Sequence, residues 1–123
     1  MTWTFCRLAG TFCDDAGALL TDAAYSGHGE GLNNPDLEAV PNVGPIPGGL
    51  WSIGRPRVPV DHLGPLAMPL TPAPGTDALG RTALFIHGDN AALDHTASDG
   101  CVILPHDVRA RIAESDDAAL MVV

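Results

Sequence analysis

Phe85-Ile86-His87-Gly88-Asp89-Asn90 and, after a polar loop, Ser98-Asp99-Gly100-Cys101-Val102-Ile103-Leu104-Pro105 form the stretch that decides how this chain folds. An apolar run of β type, Ala83 to Ile86, ends on His87. A second, Val102 to Leu104, starts just after Cys101. The thirteen residues between His87 and Cys101 are rich in Asp, Asn, Ser, Thr and Gly. Short apolar runs separated by turn formers read as strands joined by a loop. If the two strands are neighbours, His87 and Cys101 come to the same end of a sheet. That is the placement a cysteine–histidine nucleophile pair requires.

Upstream, Thr2 to Cys6 alternates, Leu8-Ala9-Gly10 turns it, and Thr11 to Cys13 forms a second strand. Asp14 to Gly17 is another turn and Ala18 to Tyr25 a third strand, which together make a β-meander. Cys6 and Cys13 flank the first turn. They either face each other across it or are two small buried apolar residues. Ser26 to Pro35 is a glycine-rich loop. Gly27, Gly29 and Gly31 mimic a phosphate loop, but no Lys-Ser/Thr follows and no helical period opens, so phosphate binding is not expected. His28 within it reads as a solvated loop residue. Asp36 to Val40 reads as one helical turn, and Val43 to Gly49 as a rigid corner leading into a strand, Leu50 to Ile53. Arg55 to Pro65 carries three prolines and reads as loop. Leu66 to Leu70 is a short strand whose Pro69 suggests an edge or a bulge. Thr71 to Gly80 is loop.

Downstream, Pro105 suits the first turn of a helix. Val108, Ile112 and Ala113 recur at helical spacing as far as Ser115, with Arg109 and Arg111 outward, and Asp116-Asp117 ends the helix. Ala118 to Val123 is a final strand. With no repeat and no linker, residues 1–123 are expected to form one domain. Its class is mainly β, a sandwich or mixed sheets, with one short helix near the C-terminal end and long Gly/Pro loops.

Composition agrees. Fourteen glycines and 11 prolines among 123 residues punctuate the chain, while 46% hydrophobic residues supply a core without metal or disulfide. The net charge of −9, from 15 acids against six arginines, makes nucleic acid and anionic membranes poor partners. No apolar window is long enough to cross a membrane. The first residues lack a charged segment followed by an apolar one, so no secretory signal peptide is expected and export would need other machinery.

A thiol attacks as thiolate, and a neighbouring imidazole can take its proton. Cys101 is therefore the candidate nucleophile and His87 its base, with Ser98 holding either the imidazole or the turn. Gly100 lets the backbone approach a substrate closely, and the amides of Gly100 and Cys101 are candidate oxyanion donors. The alternative is a buried, inert thiol. Arg81 suits a substrate carboxylate or a structural ion pair. Asp89 either orients His87 or caps a turn, and Asn33 and Asn34 suit loop capping more than substrate contact. Arg81, Asp89, Asn34 and Asp99 are the candidate substrate contacts. Trp51 reads as core before sugar platform. His62, His95 and His106 with Cys101 follow no structural zinc spacing, so neither metal nor cofactor is expected.

His87-Gly88 followed by Ser98-Asp99-Gly100-Cys101-Val102 resembles the L,D-transpeptidase signature, a His followed by Ser/Thr-His-Gly-Cys. The wider chain resembles the L,D-transpeptidase-related toxins of bacterial type VI secretion. The matching stretches are Met1-Thr-Trp-Thr, Tyr25-Ser-Gly, Gly31-Leu-Asn-Asn-Pro35, Gly44-Pro-Ile-Pro-Gly, His62-Leu-Gly-Pro65, Leu70-Thr-Pro72, Gly80-Arg81 and Phe85-Ile-His-Gly-Asp89. Asp99 stands where ordinary L,D-transpeptidases carry a second His, and the loop before Ser98 is shorter than in most of them. The resemblance implies a catalytic domain acting on peptidoglycan stem peptides in a target cell's periplasm. Cys101 would attack the L-centred carbonyl of meso-diaminopimelate and release the terminal D-Ala, leaving a thioester for water or a D-amino acid. It also implies a delivery component of the secretion system and a periplasmic immunity protein in the producer. The rival readings are a non-catalytic module that binds peptidoglycan or a partner, and a cysteine amidase or endopeptidase on the same fold.

Overall fold

The computed structural model describes residues 2–55, 66–115 and 117–123. The strands are β1 (Thr2–Cys6), β2 (Thr11–Cys13), β3 (Leu19–Thr21), β4 (Tyr25–Ser26), β5 (Gly49–Ile53), β6 (Met68–Pro72), β7 (Phe85–His87), β8 (Val102–Ile103) and β9 (Ala119–Val122). Short 3₁₀ turns occupy Gly29–Gly31 and Pro35–Leu37, and the helix α1 spans His106–Glu114. The strands form one curled nine-stranded sheet in the order β3-β2-β1-β9-β5-β6-β7-β8-β4. The expected class, mainly β with one short helix late in the chain, is what the chain adopts.

Strand periodicity explains the core. In β1 every second residue is buried, so Trp3 and Phe5 point inward, and β9 buries Leu120 and Val122 in the same way. Trp3 stacks on Phe12 of β2 at 6.1 Å. The last strand inserts between the N-terminal hairpin and β5, parallel to β1 and antiparallel to β5. Both ends of the chain thus share one core with Trp51, Ile86 and Leu104.

Four expectations change. The third strand of the meander stops at Thr21. Tyr25-Ser26 leaves for the far edge of the sheet and pairs with β8. Pro69 lies on an inner strand: Leu70–Pro72 pairs with β5 and Met68–Pro69 with β7, so the proline sits where pairing passes from one neighbour to the other. Cys6 is opposite Thr11 and Cys13 opposite Thr4, so the two thiols are diagonal neighbours and both are free. That offset puts their Cα atoms about 8 Å apart, beyond disulfide reach. Arg109 faces inward, buried, with Nε donating to the Leu104 carbonyl.

β7 and β8 are neighbours, but they run parallel, with Ile86 opposite Val102 and His87 opposite Ile103. Parallel strands need a crossover of about a dozen residues, and the loop between them supplies it.

Candidate active site

Extending the β7–β8 register by one residue sets Cys101 beside Phe85, and the Phe85 amide donates to the Cys101 sulfur at 3.3 Å. Cys101 therefore does not meet His87 at a shared sheet end, as a hairpin would require. Side chains alternate along a strand, so Phe85, His87, Cys101 and Ile103 share one face. Cys101 and His87 are diagonal neighbours on it, their Cα atoms about 8 Å apart by strand spacing and rise. The sulfur also lies 3.9 Å from the carbonyl of Ala83. Ala83 is a non-glycine residue at φ 55, so the backbone beneath the thiol is in the left-handed region.

His87 is buried, and its Nδ1 lies 2.8 Å from the Gly88 carbonyl. A carbonyl only accepts, so Nδ1 carries a proton. Arg109 packs beneath this turn: a Cβ on Gly88 would lie 2.6 Å from its guanidinium.

The turn before Cys101 is held by its carbonyls. Four in succession each accept from a different side chain. Ser98 O takes His28 Nδ1–H at 2.8 Å and Asp99 O takes Arg81 Nη2–H at 2.8 Å. Gly100 O takes the Ser26 hydroxyl at 2.9 Å and Cys101 O takes the Ser98 hydroxyl at 2.5 Å. Because C=O and N–H point opposite ways across a trans peptide, drawing the Gly100 carbonyl toward Ser26 turns the Cys101 amide the other way. Gly100 is at φ 133, and a Cβ there would meet Arg81 Nη2 at 2.1 Å, so only glycine fits.

Several expected roles change with this geometry. Ser98 is fully buried. Its hydroxyl accepts from the amides of Gly27 (2.9 Å) and Gly100 (3.1 Å) besides donating to Cys101 O, so it organises the turn and no bond from it to the imidazole is seen. The Gly100 amide is thereby engaged, which leaves Cys101 as the remaining donor of the expected oxyanion pair. Arg81 makes no ion pair among the described residues. It is buried, and its guanidinium donates to the carbonyls of Glu38, Gly44, Pro45 and Asp99. Asp89 accepts from the Tyr25 hydroxyl at 2.6 Å, and Asn34 caps the second 3₁₀ turn by accepting from Asp36 N–H at 3.1 Å. Asp99 keeps an exposed carboxylate beside the thiol.

Burial pushes the Cys101 thiol above its ordinary value. The Asp99 charge adds to the rise, while the Phe85 amide and the Arg81 guanidinium oppose it.

Three residues make contacts that their sequence readings did not anticipate. Ser26 and His28 lie in the loop read as glycine-rich, yet both bind the turn before Cys101. Tyr25, buried at the start of β4, donates to Asp89 and accepts from the Ala97 amide at 3.2 Å, so it clamps both ends of the loop that joins His87 to Cys101. Among the described residues, no three His, Cys, Asp or Glu side chains gather to hold a metal, and His62 lies outside them. Clefts of about 240 and 360 Å³ open near the end of α1 and beside Trp51, and neither is lined by Cys101 or His87. No described helix is long and apolar enough to cross a membrane.

A family model described as the Tlde1 domain matches residues 21–119. No curated protein matches the sequence. Among solved structures, a point mutant of the helical cell shape determining protein Pgp2 from Campylobacter jejuni is similar, with a TM-score of 0.63 at 18% identity. The likeness covers 98% of this chain and 46% of that one, so the chain spans under half of that protein, and what the two share is the fold. With the match running through the sheet, the turn before Cys101 and the helix, the chain belongs to the Tlde1 domain family, a family of type VI secretion effectors.

Proposed function

We propose that residues 1–123 form one catalytic domain that removes or exchanges the terminal D-Ala of peptidoglycan tetrapeptide stems. It would do so by L,D-carboxypeptidase and D-amino-acid exchange chemistry through a thioester on Cys101. The observation that carries this reading is the diagonal pairing of Cys101 and His87 on one face of the β7–β8 ladder.

In the first half-reaction His87 Nε2 takes the Sγ proton as sulfur attacks the L-centred carbonyl of meso-diaminopimelate. The Cys101 amide stabilises the oxyanion. Collapse breaks the C–N bond, and the imidazolium returns the proton to the departing D-Ala nitrogen. In the second half-reaction water or the amine of a D-amino acid attacks the thioester. His87 again takes the proton and returns it to sulfur, which leaves a tripeptide or an exchanged stem. Either product removes the donor stems a target cell needs for cross-linking. Asp99, whose carboxylate is exposed, would meet a cationic group of the stem. Delivery by a secretion-system component into the target periplasm, and a cleft-covering immunity protein in the producer, complete the proposal.

Muropeptide mass analysis after incubation with peptidoglycan tests it. Wild type should convert tetrapeptide stems to tripeptides with free D-Ala, and to exchanged stems when a D-amino acid is added, whereas Cys101→Ala should do neither. Release of a larger peptide would point to an endopeptidase. Unchanged stems with retained binding would point to a binding module.

A further inference from the structure

We infer that His28 is a positioning residue for the Cys101 turn: its imidazole fixes the Ser98 carbonyl and holds the Asp99 carboxylate off the sulfur. The inference rests on the reading of Cys101 as the reactive thiol.

His28 Nδ1 lies 2.8 Å from Ser98 O and 3.5 Å from Asp99 Oδ1. The carbonyl cannot donate, so Nδ1 carries a proton and donates it to Ser98 O, with the Asp99 carboxylate oxygen 3.5 Å from the same nitrogen. Of the four side chains that cap the turn, Ser26, Ser98 and Arg81 are buried, whereas the His28 ring is 35% exposed. The Asp99 side chain is 72% exposed. The pair therefore sits at the rim of the turn, where a substrate would arrive.

The loop that presents the ring is rigid. The Gly27 amide donates to Ser98 Oγ and the His28 amide to Val43 O. Gly27, at φ 81, has no room for a side chain: a Cβ would lie 2.5 Å from Gly31 O and 2.8 Å from Val43 O.

The chemical need is an acid close to a thiol. A nearby carboxylate disfavours thiolate, more so as it closes on the sulfur. A carboxylate drawn to His28 Nδ1, 3.5 Å from its Oδ1, is kept from closing on the sulfur. The charged and titratable groups gathered at this turn are Asp99 and Cys101 on it, Arg81 behind it, His28 at its rim and His87 on the neighbouring strand.

The test is the pH dependence of iodoacetamide alkylation at Cys101 in the folded full chain. Alkylation is read by peptide mass so that Cys6 and Cys13 are counted separately. His28→Ala should release Asp99 and raise the Cys101 midpoint by roughly 0.5–1 unit. His28→Asn, whose amide donates from near the place of Nδ1, should restore it. Asp99→Asn should lower the midpoint below wild type and make it indifferent to His28→Ala. On peptidoglycan, His28→Ala should lower kcat severalfold, and His28→Asn should rescue it. If His28→Ala does not fold, His28→Gln, whose amide lies one bond further out, replaces it in the comparison with His28→Asn. A midpoint that stays put when His28 is lost, or a rise that persists in the Asp99→Asn background, overturns the inference. Alkylation needs no peptidoglycan. Wild type that alkylates as described but releases no D-Ala would sink the stem-peptide reading alone.

Discussion

The hydroxyl of Ser98 shows how much of this site is backbone control. It donates once, accepts twice, and is fully buried. Ser98→Ala leaves two amides and a carbonyl without it, which should destabilise the fold by about 1–3 kcal/mol in urea denaturation. It should also lower turnover, although Ser98 does no proton transfer. His87→Gln should instead lower kcat/KM by roughly 10²- to 10⁴-fold, the usual worth of general-base catalysis. His87 and Cys101 were legible in the sequence as candidates, because thiol and imidazole chemistry is written in residue type. The caps were not. For three of the four, which side chain meets which carbonyl depends on packing between segments 18 to 74 positions apart, and serine, histidine and arginine give no local sign of it.

At the scale of elements, the two strands were legible and their direction was not. An apolar run ending in His and another starting after Cys fit a hairpin as well as a parallel crossover. The crossover wins because β4 arrives antiparallel on the far side of β8 and β6 holds β7 on the other. Tyr25 was read as the end of a meander strand, yet its hydroxyl ties Asp89 to Ala97 across the crossover loop. Burial and the Asp89 carboxylate both push its phenol well above the ordinary value, so it stays a donor throughout the physiological range. Tyr25→Phe should keep the ring packing and loosen the loop. Amide exchange at Ala97 should accelerate and kcat should fall several-fold, while the core strands keep their protection.

Across the whole molecule, the N-terminal hairpin is joined to the loop under the active site by Arg7, whose guanidinium meets Glu38 at 3.0 Å. Burial alone would raise the Glu38 carboxyl, but the Gly48 amide and Arg7 outweigh it and hold the group below the usual carboxylate range. A depressed carboxyl contributes stability that is present above the unfolded value of about 4.3 and lost as pH falls through the folded value. Acid unfolding followed by circular dichroism should therefore shift to higher pH in Arg7→Met, and Glu38→Gln should flatten the dependence in that window. Fold class followed from punctuation by Gly and Pro and from alternation in β1 and β9. Sheet order did not, because insertion of β9 between β1 and β5 joins the two ends of the chain. The central claim is that the Cys101 sulfur becomes acylated with loss of D-Ala. Intact-protein and peptide mass measurement after rapid acid quench with a tetrapeptide stem tests this most directly. The account predicts a tripeptidyl adduct on Cys101, absent in Cys101→Ala, with free D-Ala in equal amount. D-Ala release without any adduct, or an adduct on Cys6 or Cys13, would contradict it.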